Sequence, residues 1–173
     1  MTQPAEMGPY AVARVRAKTV NPDTGKQLEA EIYYPSLNGA AEPQGAPYAT
    51  LVFAHGFMAW PLLYSGNGQH LASWGYVVAI PDFLDEHTER RASDVGHLFS
   101  HLENLNADEE SRFFQQLDVG RFGLVGHSLG GLTTLMVTAR DVRVKAAVAL
   151  DPVRPPNASH IWRKGSWDYR AEA

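Results

Sequence analysis

A serine between two glycines is the most reactive pattern in this chain. Residues 126–130 read Gly-His-Ser-Leu-Gly, which matches the G-x-S-x-G pattern of a nucleophile elbow. In that motif the serine occupies a sharp turn between a strand and a helix, and the flanking glycines leave room for the turn. An apolar run precedes the pattern and a helix-forming run follows it. The pattern therefore predicts Ser128 as a nucleophile; the alternative is a turn whose glycines serve packing alone.

A serine that attacks a carbonyl needs donors for the negative charge on the carbonyl oxygen, and losing one donor costs about 3 kcal/mol of transition-state stabilisation. The backbone amide of Leu129, directly after the serine, is one candidate. The amide of Phe57 is the other, because it follows an apolar run at 49–54 and such a loop commonly supplies the second donor. His55 is expected to shape this loop rather than to act as a base. An apolar substrate wall, or packing under the loop, is expected from Phe57, Met58, Trp60, Pro61 and Leu62.

An acid is expected directly after the next strand. Asp151 follows the apolar run at 144–150, and the carboxyl edge of a parallel sheet is where sites form. This position predicts Asp151 as the acid that orients a general base. The alternative is a surface aspartate that opens a turn before Pro152.

Two other groups of side chains have weaker claims to chemistry. His97 and His101 are one helical turn apart, as metal ligands often are, but a zinc-protease motif needs Glu where Leu98 stands. Acidic residues and a histidine also cluster after a predicted strand, at Asp82, Asp85, Glu86 and His87. Loops after strands are often acidic, so no metal site is expected, and the serine chemistry requires no cofactor.

An antiparallel hairpin is predicted near the start of the chain. Residues 11–20 and 28–34 alternate apolar with charged side chains, and the turn-forming sequence Asn-Pro-Asp-Thr-Gly at 21–25 separates them. The charges that can pair across this hairpin are Arg14, Arg16, Lys18, Glu29 and Glu31. Residues 35–47, rich in proline and glycine, predict a surface loop.

Strands then alternate with helices. Apolar runs predict strands at 49–54, 76–80, 122–125 and 144–150. Helical patterns fall at about 62–74, 93–117 (one or two helices) and 129–140. This order predicts the α/β class, with a doubly wound, mostly parallel sheet. We expect a single domain over residues 1–173, with its core at about 10–153 and an irregular tail at 154–173.

Four segments together resemble the α/β-hydrolase superfamily. Within it, the chain is similar to the group of chlorophyllases, platelet-activating-factor acetylhydrolases and cutinase-like polyester hydrolases. The segments are 55–57 (His-Gly-Phe), 72–82 (Ala-Ser-Trp-Gly-Tyr-Val-Val-Ala-Ile-Pro-Asp), 126–131 (Gly-His-Ser-Leu-Gly-Gly) and 149–152 (Ala-Leu-Asp-Pro). The resemblance covers about residues 10–153.

The resemblance implies roles for individual residues. It implies the nucleophile Ser128 and oxyanion amides from Phe57 and Leu129. Chlorophyllases and the acetylhydrolases carry their acid after the strand that follows the elbow helix, where Asp151 stands here, whereas cutinase-like polyester hydrolases use a later strand. Dienelactone hydrolases are near relatives, but they use a Cys nucleophile and this chain has none.

The histidine that the superfamily places well beyond the acid has no matching segment. The one histidine after Asp151 is His160, which follows closely on three prolines. The chain is therefore expected to be a C-terminally incomplete version of the fold. The strand at 144–150 would then be an exposed apolar edge, and such edges favour self-association.

Composition excludes several classes of protein. Fifteen Lys and Arg against nineteen Asp and Glu give a net charge of −4, which argues against nucleic-acid binding. No run of eighteen apolar residues is present, so no membrane span is predicted. Residues 1–10 lack the apolar core of a signal peptide, and the absence of cysteine fits a reducing compartment. A cytoplasmic location is expected, with secretion of a processed form left open.

The first hypothesis is a serine carboxylic-ester hydrolase that forms an acyl-enzyme on Ser128. Its substrate would be a small-molecule or polymeric ester, such as a lipid ester, a chlorophyll-like ester or a polyester. The second hypothesis is a catalytically inactive α/β-hydrolase fold that acts in binding or assembly. A third is a serine hydrolase of thioesters or other acyl groups.

Overall fold

The computed structural model describes residues 5–84 and 87–153, together with the backbone of 162–163 and 166–167. The strands are β1 (Val12–Asn21), β2 (Lys26–Leu37), β3 (Ala40–Ala41), β4 (Tyr48–Ala54), β5 (Tyr76–Asp82), β6 (Leu117–His127), β7 (Val144–Leu150), β8 (Trp162–Arg163) and β9 (Ser166–Trp167). The helices are α1 (Ser65–Ser73), α2 (Thr88–Ala107) and α3 (Leu129–Thr138), with short 3-10 turns at Pro43–Gly45 and Pro61–Tyr64. In the described part of the chain, no helix combines the length and apolar character needed to cross a bilayer.

The main sheet has the strand order β1-β2-β5-β4-β6-β7, with the short β3 paired to β2. β1 and β2 form the predicted antiparallel hairpin, and Arg14, Arg16 and Lys18 make ion pairs with Glu29 and Glu31 across it. β4 pairs in parallel with both β5 and β6, and β6 pairs in parallel with β7. The predicted α/β class, with a mostly parallel sheet and an N-terminal hairpin, is confirmed.

Prolines account for two differences from the predicted elements. β5 continues through Pro81 to Asp82, beyond the predicted end at residue 80. Pairing with β4 ends at Ala79, so Pro81 has a strand neighbour only on the β2 side, and a proline is tolerated where its missing N–H faces the side without a neighbour. The helix predicted at 62–74 is divided into a 3-10 turn that begins at Pro61 and the helix α1. β2 also extends to Leu37, into the predicted loop.

Helices cover both faces of the sheet. On one face α2 and α3 pack over the larger core, and α2 contributes Val95, Leu98, Phe99 and Leu102, at the spacing of one helix side. On the other face α1 packs over a smaller cluster that includes Tyr33, Phe53 and Ile80. Burial of each large apolar side chain contributes about 1.5–3 kcal/mol, so these clusters hold the strands that end at the site.

Arg143 fixes the loop that leads into β7. Its guanidinium donates hydrogen bonds to Asp141 (2.7 Å) and Glu103 (3.1 Å) and to the carbonyl oxygen of Gly96 (3.0 Å). The hydrogen bond from Arg143 lowers the pKa of Asp141, and the same contact raises the pKa of Arg143. These bonds tie the start of β7 to α2.

β7 lies at the edge of the sheet, with β6 as its one strand neighbour among the described residues. Val148 is 50% exposed and Leu150 is 44% exposed, although both are large and apolar. They stand beside Val125 and His127 of β6 in the parallel register. The described part of the chain thus has the exposed apolar edge that the sequence predicts.

Acid is expected to destabilise the fold through His101. Burial lowers the pKa of His101, and the neighbouring His97 lowers it further. The unfolded chain, with a His pKa of about 6.5, therefore binds more protons than the folded chain in mild acid. The contribution of His101 to the free energy of unfolding is fully present above about pH 6.5. It is lost as the pH falls through the lower pKa of the folded state. Melting temperatures at about pH 7.5 and about pH 5 should differ less in His101→Gln than in wild type; an equal difference would contradict this.

Candidate active site

Ser128 stands at the turn between β6 and α3, with backbone angles φ 55° and ψ −117°. A positive φ at a residue other than glycine costs on the order of 1–3 kcal/mol and occurs mostly at functional sites. Ser128 is also only half-buried. The strand, strained serine and helix together have the form of a nucleophile elbow.

Two glycines allow the backbone to pack closely at this turn. A Cβ on Gly126 would overlap the carbonyl oxygen of Gly130. A Cβ on Gly130 would overlap the carbonyl oxygen of Ala54 and lie 2.7 Å from that of His55. The start of α3 is therefore packed directly against the end of β4, with no side chain between them.

The loop after β4 approaches Ser128. A Cβ placed on Gly56 would lie 3.5 Å from the Cβ of Ser128. Phe57 follows Gly56, and Leu129 follows Ser128, so both expected oxyanion amides belong to the two segments that meet here. The Phe57 side chain is exposed to solvent.

His55 is fully buried beneath this loop. Its Nε2 atom accepts a hydrogen bond from the Phe83 amide (3.2 Å), which places the ring proton on Nδ1. Nδ1 then donates to the carbonyl oxygen of Gly56 (2.8 Å). The buried Arg91 donates to the carbonyl oxygen of His55 (2.6 Å) and lies over the Phe83 ring. These contacts fit the expected loop-shaping role of His55, whereas the part played by Arg91 was not predicted.

The end of β7 is hydrogen-bonded to the backbone of Ser128. The Ser128 amide donates to the carbonyl oxygen of Leu150 (2.9 Å), and the Val153 amide donates to the carbonyl oxygen of Ser128 (3.2 Å). Asp151, between these two contacts, is exposed and has a positive φ of 44°. Its backbone therefore lies beside the elbow, and its role as the acid stays a prediction.

Tyr64 connects the two segments and was missed by the sequence analysis. Its hydroxyl oxygen accepts a hydrogen bond from the Gly56 amide (3.2 Å) and lies 2.9 Å from Nδ1 of His127. Tyr64 and His127 are far apart in the sequence, and neither tyrosine nor histidine indicates by its type which residue it will contact. No local pattern could have revealed this contact.

Large apolar side chains are exposed around the loop after β4. We call them the apolar rim; they are Phe57, Met58, Trp60, Leu62 and Leu63. Pro61, which the sequence suggests for the same wall, is instead buried as the first residue of its 3-10 turn. The expectation of an apolar wall is thus corrected at Pro61.

The described residues contain no group of three or more His, Asp or Glu side chains placed to hold a metal ion. Nε2 of His97 is hydrogen-bonded to the Thr19 hydroxyl (2.9 Å). Asp85, Glu86 and His160, which the sequence analysis considered, lie outside the described residues.

A strained serine at the end of a central parallel strand, with a glycine loop from the neighbouring strand against it, characterises one class of protein, the α/β-hydrolase fold. The helices on both faces and the N-terminal hairpin fit the same class. Residues 2–164 match the protein family described as PETase, PET hydrolase-like, and the chain belongs to that family.

Individual relatives are ester hydrolases by name. The chain is 31% identical to bis(hydroxyethyl) terephthalate hydrolase of Streptomyces coelicolor, over 90% of this chain and 46% of that protein. It is 26% identical to cutinase est1 of Thermobifida alba, over 92% of this chain and 49% of that protein. It is 24% identical to platelet-activating factor acetylhydrolase of Cavia porcellus, over 80% of this chain and 43% of that protein. The chain thus spans about half the length of these relatives.

Proposed function

We propose that the chain acts as a serine carboxylic-ester hydrolase through an acyl-enzyme on Ser128. The observation that carries the proposal is the strained backbone of Ser128, held between β6 and α3 against the glycine loop after β4. Strain of this kind is costly, and it is characteristic of a serine whose hydroxyl must project from the sheet. Membership of the PET hydrolase-like family supports the same chemistry.

In the proposed mechanism the Ser128 Oγ atom attacks the ester carbonyl carbon, and its proton passes to a histidine. The amides of Phe57 and Leu129 hold the oxyanion of the tetrahedral intermediate, and Asp151 orients the histidine. Collapse of the intermediate releases the alcohol, which takes the proton from the histidine. Water then cleaves the acyl-enzyme by the same steps in reverse order.

The apolar rim favours an ester with a large apolar part. The five exposed apolar side chains of the rim lie at the proposed oxyanion residue Phe57 and within six residues after it, and apolar surface binds apolar ligands by removing both from water. The relatives named cutinase and bis(hydroxyethyl) terephthalate hydrolase support a polymeric or aromatic ester. Hydrolysis of thioesters would use the same groups.

A second candidate is binding or assembly by an inactive α/β-hydrolase fold. It is favoured by one observation: within the described residues, no histidine is hydrogen-bonded to Ser128 or to Asp151. A serine without a base is a weak nucleophile.

A fluorophosphonate probe separates the two candidates. The hydrolase proposal expects the folded chain to be labelled, with the label mapped to Ser128 by mass spectrometry, and to hydrolyse p-nitrophenyl esters. A chain that is folded by circular dichroism but takes no label would favour the binding candidate. A label on another residue would overturn the assignment of Ser128.

We further propose that β7 pairs with the β7 strand of a second copy. Among the described residues no strand pairs with its outer edge, and its exposed side chains are apolar except for Lys145, the one charged residue of the strand. Two such edges can pair in antiparallel fashion without placing the two lysines opposite each other.

The cytoplasmic location expected from the sequence also stays a prediction.

Val148→Lys is expected to convert the self-associated chain to a monomer. The substitution places a charge on the exposed β7 strand, and charged side chains on an edge oppose strand pairing. Sedimentation velocity over a range of concentrations measures the change. Val142→Lys is the matched control, because Val142 is more exposed but precedes the strand, and it should leave association intact. A wild-type chain that is monomeric at every concentration would refute the pairing.

A further inference from the structure

One oxygen atom touches both halves of the proposed oxyanion site. The Tyr64 hydroxyl accepts a hydrogen bond from the Gly56 amide (3.2 Å) and is hydrogen-bonded to His127 Nδ1 (2.9 Å). Gly56 directly precedes Phe57, which carries one proposed donor amide. His127 directly precedes Ser128, and Leu129 with the other donor amide comes next. The hydroxyl therefore bridges the two segments that must converge on the substrate's carbonyl oxygen.

The direction of each hydrogen bond follows from the groups involved. A backbone N–H can only donate, so the Tyr64 oxygen is the acceptor toward Gly56. The phenolic proton is then available for Nδ1 of His127, which accepts it when the imidazole is neutral and carries its proton on Nε2. The Tyr64 ring packs at 5.2 Å against that of the buried Phe53 in β4. This packing fixes where the hydroxyl sits.

Gly56 is held from two sides. His55 Nδ1 donates to the Gly56 carbonyl oxygen (2.8 Å), and Tyr64 accepts from the Gly56 amide. Because the peptide is planar and trans, the Gly56 carbonyl and the Phe57 N–H point in opposite directions. A hydrogen bond that fixes the direction of the carbonyl therefore also fixes the direction of the N–H. Glycine has no side chain to restrict its backbone, and these two bonds supply the restriction.

We propose that Tyr64 is a positioning residue that sets the Phe57 amide at a fixed distance from the elbow. The inference rests on the proposed function, because it assigns Tyr64 to the oxyanion site of that reaction. Oxyanion donors must lie about 2.7–3.1 Å from a single oxygen position, so small shifts between the two segments weaken both bonds. Tyr64 does not touch the reacting atoms; it acts through Gly56 and His127.

Tyr64→Phe removes the bridging oxygen and keeps the ring that packs on Phe53. The rate constant for fluorophosphonate labelling of Ser128 should fall about 10- to 100-fold, and kcat for a p-nitrophenyl ester should fall with KM little changed. Tyr33→Phe is the matched control: Tyr33 is buried, and its hydroxyl has no hydrogen-bond partner within the described residues. It should leave both rates unchanged.

Two further measurements do not depend on turnover. Nitrogen-15 shifts of His127 should report a neutral ring protonated on Nε2 in wild type, and Tyr64→Phe should shift that tautomer balance. Hydrogen exchange of the Gly56 amide should become faster in Tyr64→Phe and stay unchanged in Tyr33→Phe. A general loss of stability would affect many amides and would not single out these two groups.

The outcomes separate this inference from the proposed function. If wild type is labelled on Ser128 and Tyr64→Phe is labelled equally fast, the positioning role is wrong and the hydrolase proposal stands. If wild type takes no label, the hydrolase proposal fails, and with it the oxyanion role; the nitrogen shifts and the exchange rate then show only whether the bridge exists. An unchanged Gly56 exchange rate would overturn the bridge itself.

Discussion

Ser128→Ala is expected to eliminate fluorophosphonate labelling and to reduce ester turnover by about a thousandfold or more. The substitution removes the only atom that forms the covalent bond, while the positive φ at this position stays imposed by β6 and α3. Alanine and serine both carry a Cβ and meet a similar penalty at such a φ, so the loss should reflect chemistry rather than unfolding. What turnover remains would come from substrate binding and the oxyanion amides alone.

The comparison variant for this experiment is Ser65→Ala, at the first residue of α1. It removes a hydroxyl in α1 rather than at the elbow and should be labelled at the wild-type rate. Labelling time courses and circular dichroism of all three proteins would be measured side by side. The nucleophile assignment is wrong if the Ser128→Ala variant still takes up the probe.

Gly130→Ala is expected to have the largest effect on stability. Its Cβ would meet the backbone oxygens of Ala54 and His55, and no flexible side chain is present to move aside. The end of β4 must then separate from the start of α3. Overpacking of this kind costs about 1–3 kcal/mol or more. For a chain of this size, each kcal/mol lowers Tm by about 2–4 °C.

The same separation should also disturb chemistry, because the segment that moves is the loop after β4, which carries the proposed Phe57 donor. Labelling of Ser128 is therefore expected to slow even at temperatures where Gly130→Ala remains folded. Gly66→Ala is the control, since its Cβ would meet nothing within 4 Å in α1, and a helical Gly→Ala change stabilises by about 0.5–1 kcal/mol. A Gly130→Ala variant with wild-type Tm and labelling would disprove the close packing.

The features that could be predicted from the sequence are those that a short run of adjacent residues determines. The pentapeptide at 126–130 encodes the elbow because strand, turn and helix signals are adjacent there. The hairpin of β1 and β2 follows from alternation on both sides of one turn. The strand β7 follows from the unbroken apolar run at 144–150.

Contacts between distant segments could not be predicted in this way. The antiparallel pairing of β2 with β5 joins strands separated by β4 and α1, and no local pattern encodes it. Arg91 has a charged side chain that suggests an exposed helix face, yet it is fully buried against the His55 carbonyl and the Phe83 ring. The Tyr64 bridge likewise depends on where the loop after β4 lies relative to the end of β6.

The backbone-to-backbone packing at the elbow has a consequence for how substrate preference can change. Glycine contacts and main-chain hydrogen bonds fix Ser128 and the loop after β4, whereas the apolar rim projects from that loop into solvent. Replacements at Trp60, Leu62 or Leu63 therefore alter the surface that a ligand meets without altering the backbone contacts that hold the serine. Substitutions at these exposed positions are therefore expected to change ligand preference at little cost in stability.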